Sequence, residues 1–168
     1  REHPRLNSAI AEKEIVLLPV INVGVAVALE DGLIVPVVRR ADRKSVLDIH
    51  REVRALAEAA RAGTLTVDQV TGGTFTVSNL GAFGVESFTP ILNQPEVGIL
   101  GAGQITREPA FVGEQVVARS RMTLSLTIDH QVVDGAPGAA FLQTVVLLLE
   151  QPALIFAGDD GEVGGQDG

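Results

Sequence analysis

The chain has 168 residues, the length of one ordinary domain, and it contains no cysteine, which excludes disulfide bonds, thiolate metal sites and a cysteine nucleophile. Any sulfur chemistry must therefore use a thiol brought by the substrate. A formal net charge of −8 opposes general binding to nucleic acid or to an anionic membrane, and no apolar run approaches the roughly 20 residues of a membrane helix. We therefore expect a cytoplasmic protein that binds neither nucleic acid nor a membrane.

The first elements in chain order predict a β-hairpin. Residues 21–29 are rich in β-branched side chains, Asp31 and Gly32 form a turn, and residues 33–38 resume the apolar run. Pro36 lacks an amide hydrogen, so the second strand should lie at an edge or carry a bulge.

A basic cluster follows the hairpin, with four cations in six positions: Arg39, Arg40, Arg43 and Lys44. It could meet a phosphorylated cofactor, but a solvated corner between strand and helix is the expected structure. Residues 45–62 have apolar side chains at every third or fourth position, which predicts an amphipathic helix ending at Gly63. We expect His50 on its surface, and residues 66–69 have a capping-box pattern typical of one short helical turn.

The second half of the chain predicts three strands and a helix. Residues 74–78 alternate hydroxyl and apolar side chains, and residues 122–128 do so within a longer strand predicted at residues 114–129, so each strand has a polar face that could line a channel. Between them, residues 79–103 are rich in turn-forming residues, with a short buried strand at residues 97–100. Residues 136–150 predict a buried helix with few charges, suited to contact between subunits.

Residues 157–168 are acidic and rich in glycine, so we expect a disordered tail. No repeat or second domain is evident in the remainder. The pattern therefore indicates one α/β unit with mixed strand order in residues 1–156.

The chemistry is concentrated at the predicted turn between the last strand and the last helix. His130 ends the strand, Asp129 flanks it, and Asp134 follows four residues later. Loops held by a rigid scaffold are common places for catalytic groups, and an imidazole can accept a proton near neutral pH. Spacing alone leaves a metal pair, a polar surface turn and a catalytic base all open, although the other histidines are distant and no Glu or Cys cluster accompanies this one.

Two motifs resemble those of the dihydrolipoyl acyltransferases. Residues 130–135, HQVVDG, resemble the H-x-x-x-D-G signature that this family shares with chloramphenicol acetyltransferase. Residues 73–81, GTFTVSNLG, look like a second segment of the same family, and so do residues 88–93 and 95–101. The resemblance covers nearly the whole chain in order and implies an α/β, chloramphenicol acetyltransferase-like two-layer sandwich with a mixed sheet.

The resemblance also implies roles for individual residues. His130 would be the general base, Ser78 would donate a hydrogen bond to the tetrahedral intermediate, and Asp134 would hold the geometry of the site, its usual partner lying in a portion that this chain lacks. Asn79 would contact substrate. Losing one oxyanion donor typically costs about 10²–10³ in turnover. Taken without the motif, Ser78 is better explained as a strand hydroxyl bonded to its neighbours.

By the same resemblance, the chain would move an acyl group between coenzyme A and a dihydrolipoyl thiol in a 2-oxoacid dehydrogenase complex, with no metal. The lipoyl group would be carried on a domain not present here. Homotrimers would place His130 opposite Ser78 of a neighbour and would assemble into a larger core. The decarboxylase and dihydrolipoyl dehydrogenase subunits would bind through the missing domains.

Compared with the family, this chain lacks the first part of the catalytic domain, which leaves a non-catalytic structural core as an alternative function. A serine hydrolase is disfavoured because Ser78 is not in a G-x-S-x-G elbow. Dinucleotide and phosphate-loop motifs are also incomplete. The run of residues 79–90 looks more like the acetyl or branched-chain transferases than the succinyl ones.

Overall fold

A mixed sheet of five strands organises the chain in the computed structural model, which describes residues 2–11 and 14–157. The strands are β1 Ser8–Ala11, β2 Glu14–Leu17, β3 Val23–Val25, β4 Val27–Leu29, β5 Gly32–Ile34, β6 Val37–Val38, β7 Phe75–Asn79, β8 Gly98–Val112 and β9 Gln115–Ile128. The helices are α1 Val46–Arg61, α2 Gly135–Glu150 and α3 Ala153–Ala157. Short 3₁₀ turns span Pro4–Leu6, Ala41–Arg43, Val67–Gln69 and Gly81–Phe83.

The five-stranded sheet has the order β6-β3-β7-β8-β9. The central pairs β3–β7 and β7–β8 are parallel, whereas the outer pairs β3–β6 and β8–β9 are antiparallel. Two separate hairpins, β1–β2 and β4–β5, stand outside it. This arrangement confirms the predicted mixed α/β class.

The predicted hairpin is confirmed, but it is divided between two sheets. Its tip forms β4–β5, and its base forms β3–β6 within the main sheet. The division comes at Ala26, whose N–H donates to the Val77 carbonyl at 2.9 Å, and at Pro36 on the facing segment. Pro36 itself lies between β5 and β6, so the predicted second strand is interrupted there, and β6 is at the predicted edge of the main sheet.

Helix α1 begins and ends where the sequence predicts. The Ser45 hydroxyl accepts the Asp48 N–H at 3.1 Å and caps the first turn, and Gly63 follows the last turn with φ +67°. The helix packs against β4 and β6 and buries Leu56 and Ala60. The capping box at the next short turn is confirmed as well, since the side-chain Oε1 of Gln69 accepts the Thr66 N–H at 2.9 Å.

The short strand predicted at residues 97–100 is wrong in length. It is the start of β8, a strand of 15 residues that pairs with β7 only as far as Ala102 and then continues against β9 alone as a two-stranded ribbon. Pro109 is tolerated in this ribbon because β8 has only one partner there. The long strand predicted at residues 114–129 is confirmed as β9.

Helix α2 confirms the helix predicted at residues 136–150, and it covers one face of the sheet. The Phe141 ring lies 5.4 Å from that of Phe75, and Gly138 lies against Ile128, where an added Cβ would be 3.1 Å from its Cδ1. A core cluster of Leu6, Val97, Val132 and Val133 packs beside them.

Burial of α2 is incomplete in the single chain, so the predicted burial would require contact with other subunits. Val146, Leu147 and Leu149 are exposed on its outer side, as are Leu154, Ile155 and Phe156 of α3. The sequence pattern did not indicate α3, which ends at Ala157. The rest of the predicted tail, residues 158–168, lies outside the described residues. Within the described part of the chain, no helix has the length and apolarity required to span a bilayer.

Candidate active site

One face of the main sheet carries a row of hydroxyl side chains. Thr76 of β7 and Thr127 of β9 both pair with Ile99 of β8, and Ser78 and Ser125 both pair with Gly101. Side chains of paired residues project to the same side of a sheet, so these hydroxyls share one face, opposite to α2. We call it the hydroxyl face.

A loop of the same chain lies across the hydroxyl face. This cover loop, residues 85–96, places the Phe88 ring over Gly101, where an added Cβ would be 2.9 Å from its Cζ. The Thr127 hydroxyl donates to the Pro90 carbonyl at 2.6 Å and holds the loop to β9. The predicted polar face on β7 is therefore partly covered by a loop that the sequence pattern did not indicate, and the glycine in β8 makes room for this loop.

Ser78 differs from the two threonines that precede it in the chain. Thr74 donates to the Asn22 carbonyl at 3.0 Å, and Thr76 donates to the Glu96 carboxyl at 2.5 Å, both in buried positions. Ser78 is half-buried at the end of the row, and within residues 2–11 and 14–157 its hydroxyl makes no hydrogen bond. The hydroxyl is therefore available to donate to a ligand, unlike a strand hydroxyl bonded to its neighbours.

Asn79 lies at the end of β7 with an exposed side chain. Its side-chain oxygen accepts the Gly81 N–H at 2.9 Å, which forms a local turn. The side-chain nitrogen of Asn79 makes no hydrogen bond among the described residues.

The turn after β9 fixes the backbone on both sides of His130. The Asp129 carbonyl accepts the N–H groups of Val132 and Val133 at 3.0 Å each, and its carboxyl accepts the Gln131 N–H at 2.9 Å. Val132 and Val133 are buried in the core cluster. The imidazole, in contrast, is 73% exposed, so a rigid turn presents the ring outward from the chain.

The side chain of Asp134 lies beside that of His130. The four-residue spacing in the sequence did not establish this contact. Asp134 Oδ1 is 3.6 Å from His130 Nδ1, too far for a hydrogen bond but close enough to attract a protonated imidazole. Asp134 also occupies the N-cap position of α2, where a negative charge is favourable, although its side chain makes no capping bond.

The structure does not bring Ser78 and His130 together within one chain. Ser78 is level with Ser125 on β9, whereas His130 lies beyond Ile128 at the end of that strand. A rise of about 3.3 Å per residue and a strand spacing of about 4.8 Å place the two residues more than about 10 Å apart. A site that uses both must draw them from two chains.

Two cavities lie elsewhere on the described surface. One of about 840 Å³ follows the free edge of β9 beside α2, and one of about 680 Å³ lies along residues 89–94. Neither is lined by Ser78 or His130. Among the described residues, no group of three or more His, Asp or Glu side chains could hold a metal ion.

The basic cluster has structural partners. Arg39 donates to the carbonyls of Asp68 and Thr71 at 2.6 and 3.1 Å, and Lys44 pairs with Glu52 on α1. The predicted corner between strand and helix is thus confirmed, and so is the exposed position of His50 on α1.

Comparison with known proteins identifies similar chains. The model of the 2-oxoacid dehydrogenases acyltransferase (catalytic domain) family matches residues 1–157. The dihydrolipoyllysine-residue acetyltransferase component of the acetoin cleaving system of Bacillus subtilis is 46% identical over 91% of this chain and 38% of its own length. A mitochondrial succinyltransferase component from Saccharomyces cerevisiae is 44% identical over 90% of this chain and 33% of its own. The chain thus spans well under half the length of these relatives.

Solved structures show the same fold. The dihydrolipoamide acetyltransferase of Azotobacter vinelandii, studied for the role of a serine, a histidine and an asparagine in its catalytic mechanism, has a TM-score of 0.88 and 39% identity, over 92% of this chain and 65% of that one. The cubic core of a pyruvate dehydrogenase complex has a TM-score of 0.84 and 40% identity, over 88% of this chain and 62% of that one. Chloramphenicol acetyltransferase has a TM-score of 0.52 and 17% identity, over 86% of this chain and 69% of that one, and it shares the fold alone.

Proposed function

The chain belongs to the family of 2-oxoacid dehydrogenase acyltransferase catalytic domains, and from this membership we propose that it transfers an acyl group between coenzyme A and a dihydrolipoyl thiol. The relatives carry this chemistry in their names, as acetyltransferase and succinyltransferase components of dehydrogenase complexes. Coenzyme A is a substrate here, and the lipoyl group would arrive on a domain outside this chain.

Three residues of this chain have the spacing of the residues studied in Azotobacter vinelandii, and two of them are also the same amino acids, with Asp134 in place of the asparagine. The spacing of its serine, histidine and asparagine is the same as that of Ser78, His130 and Asp134. The observation that carries the assignment is this spacing together with the free hydroxyl of Ser78, since both threonines of the row are bonded. Among the described residues Ser125 is also unbonded, and the spacing to His130 selects Ser78 over it. We assign His130 as base and Ser78 as oxyanion donor, with Asp134 holding the geometry and Asn79 contacting substrate.

The proposed reaction needs no acyl-enzyme. His130 takes the proton of the attacking thiol, and the thiolate adds to the thioester carbonyl. The Ser78 hydroxyl donates to the oxyanion of the tetrahedral intermediate, which collapses and expels the second thiolate. That thiolate receives the proton from the imidazolium, so His130 returns to its starting state.

A trimer supplies the arrangement that one chain lacks. The separation of Ser78 and His130 within the chain favours a site between two copies, and the exposed apolar residues of α2 and α3 offer surface for assembly. Relatives form a cubic core, which supports a larger assembly of trimers. We propose that the decarboxylase and dihydrolipoyl dehydrogenase subunits bind through other domains, and that the complex is cytoplasmic, as in bacteria.

The acyl group proposed for this chain is acetyl, with a branched-chain acyl group as the second candidate. Phe88 of the cover loop lies over Gly101, the residue that pairs with Ser78, so a large ring bounds the space near the oxyanion donor. A small acyl group fits beside it better than a bulky one, and one methylene changes discrimination by about 1–3 kcal/mol.

The test is an assay of acyl transfer to dihydrolipoamide by the full-length protein. Acetyl-, isobutyryl- and succinyl-coenzyme A are supplied in turn, and release of free coenzyme A is followed with and without dihydrolipoamide. We expect turnover that requires the acceptor and is fastest with acetyl. Turnover no faster than in buffer contradicts the proposed function, whereas a preference for another acyl group contradicts only the proposed acetyl specificity.

A further inference from the structure

Glu96, at the end of the cover loop, is a buried acid with an unusual set of partners. It is only 5% exposed, and one carboxyl oxygen accepts the Thr76 hydroxyl at 2.5 Å while the other accepts the Asn93 side-chain amide at 3.1 Å. Within residues 2–11 and 14–157 it forms no ion pair. Burial raises the pKa of Glu96, and the hydrogen bonds from Thr76 and Asn93 lower it.

A buried carboxyl without a cation destabilises a fold unless hydrogen bonds satisfy it, so an apolar residue would be the simpler choice for a core position. The chain instead has a glycine beside the carboxyl of Glu96. A Cβ added at Gly73 would clash with the Glu96 carboxyl, which means that the glycine before β7 lets the acid lie against the strand.

The two hydrogen-bond partners belong to different parts of the proposed site. Thr76 lies on β7 two residues before Ser78, so the two side chains share the hydroxyl face. Asn93 belongs to the cover loop, which also carries Phe88. One carboxyl therefore connects the strand of the oxyanion donor to the loop that bounds the acyl group.

We infer that Glu96 is a positioning residue for acyl transfer, which fixes the cover loop, and with it Phe88, relative to Ser78 by bonding Thr76 and Asn93. This role rests on the proposed function and goes beyond it. It acts through the neighbouring residues, because Glu96 itself is enclosed and does not reach the substrate.

Thr76 offers a matched pair of variants that separates positioning from general destabilisation. Thr76→Val keeps the volume and removes the donor, and Thr76→Ser keeps the donor. In the full-length protein, we expect Thr76→Val to lower kcat for acetyl transfer about 10-fold or more, since small misplacements in a site have large effects on rate. The KM for coenzyme A should change less than about twofold, and Thr76→Ser should resemble the wild type.

The preference among acyl groups provides a measurement that a purely structural role would not change. Release of the cover loop shifts Phe88, so the ratio of isobutyryl to acetyl turnover should rise at least about threefold in Thr76→Val. Asn93→Ala removes the other partner at an exposed loop position and should shift the same ratio in the same direction by less. Glu96→Gln retains groups that can bond both partners after rotation of the Asn93 amide, and it should preserve the wild-type ratio.

The outcomes distinguish the inference from the function on which it rests. If the wild type transfers acetyl and folded Thr76→Val and Asn93→Ala variants keep both its kcat and its acyl preference, the positioning role is wrong. If Thr76→Val does not fold, the Asn93→Ala ratio decides alone. A wild-type protein without acetyl transfer refutes the proposed function, and the inference falls with it.

Discussion

The turn that carries His130 and the strand that carries Ser78 present their side chains in opposite ways. The imidazole is 73% exposed on a turn anchored by the buried Val132 and Val133, whereas Ser78 is half-buried on the face across which the cover loop lies. Both backbones are fixed, one by core packing and the other by pairing within the sheet. The difference teaches that the two halves of the proposed site are prepared separately within the fold. In the proposed reaction, the turn of one chain, the exposed half, would meet the hydroxyl face of another, the covered half.

The largest effect should come from the exposed half. Replacing His130 with alanine removes the proposed base, and we expect kcat for acetyl transfer to fall by about 10²–10⁴. His50→Ala is the matched control because this second histidine is also exposed but lies on α1, and it should leave turnover unchanged. Equal activity of the two variants would show that the imidazole of His130 does not take part.

The covered half should give the next largest effect. Ser78→Ala removes one oxyanion donor, and we expect kcat to fall by about 10²–10³. Ser125 lies on the same face across Gly101, so Ser125→Ala tests whether any hydroxyl of the row suffices. It should retain most of the turnover, and a loss as large as that of Ser78→Ala would contradict a specific role for Ser78.

A smaller effect is expected beside the base. Asp134 is 76% exposed and 3.6 Å from the imidazole, so water screens their attraction, and the relative from Azotobacter vinelandii has asparagine at the equivalent spacing. Asp134→Asn should therefore lower kcat less than about fivefold. A loss comparable to that of His130→Ala would mean that the charge of Asp134 is required for proton transfer.

The last prediction concerns stability of the covered half. Burial raises the pKa of Glu96, so the folded chain binds this proton more tightly than the unfolded chain does. The stabilisation that comes from this tighter proton binding is full below the ordinary pKa of a glutamate, and it is lost as pH rises through the raised pKa of Glu96. Glutamine does not titrate, so the Tm of Glu96→Gln minus that of the wild type should increase with pH, measured from about pH 4 to pH 8. A difference that is constant or decreases with pH would contradict the raised pKa.

The sequence predicts the features that depend on local patterns. Helix α1 follows from apolar spacing, with Ser45 and Gly63 at its ends, and the turn at His130 follows from an apolar strand that stops before a helical segment. The residues proposed for catalysis come from two motifs, and the structure places both at the ends of strands. Local chemistry is sufficient in these cases because neighbours along the chain decide the conformation.

Features that depend on distant pairing are not predictable in the same way. The second half of β8 contains charges and a proline, and it is a strand only because β9 pairs with it. Glu96 lies in a segment rich in turn residues, where an acid is normally exposed. Its burial depends on Gly73 and Thr76, some 20 residues earlier in the chain. The covered state of the hydroxyl face was missed for the same reason.

The most direct test of a site shared between chains is complementation between two inactive variants. His130→Ala and Ser78→Ala proteins are co-expressed in equal amounts, and acetyl transfer by the mixed assemblies is compared with that of each variant alone. Sites between neighbours predict recovery in about one quarter of the sites, those formed by an intact His130 from one chain and an intact Ser78 from the other. Turnover of mixed assemblies no higher than the average of the two variants would contradict the shared site.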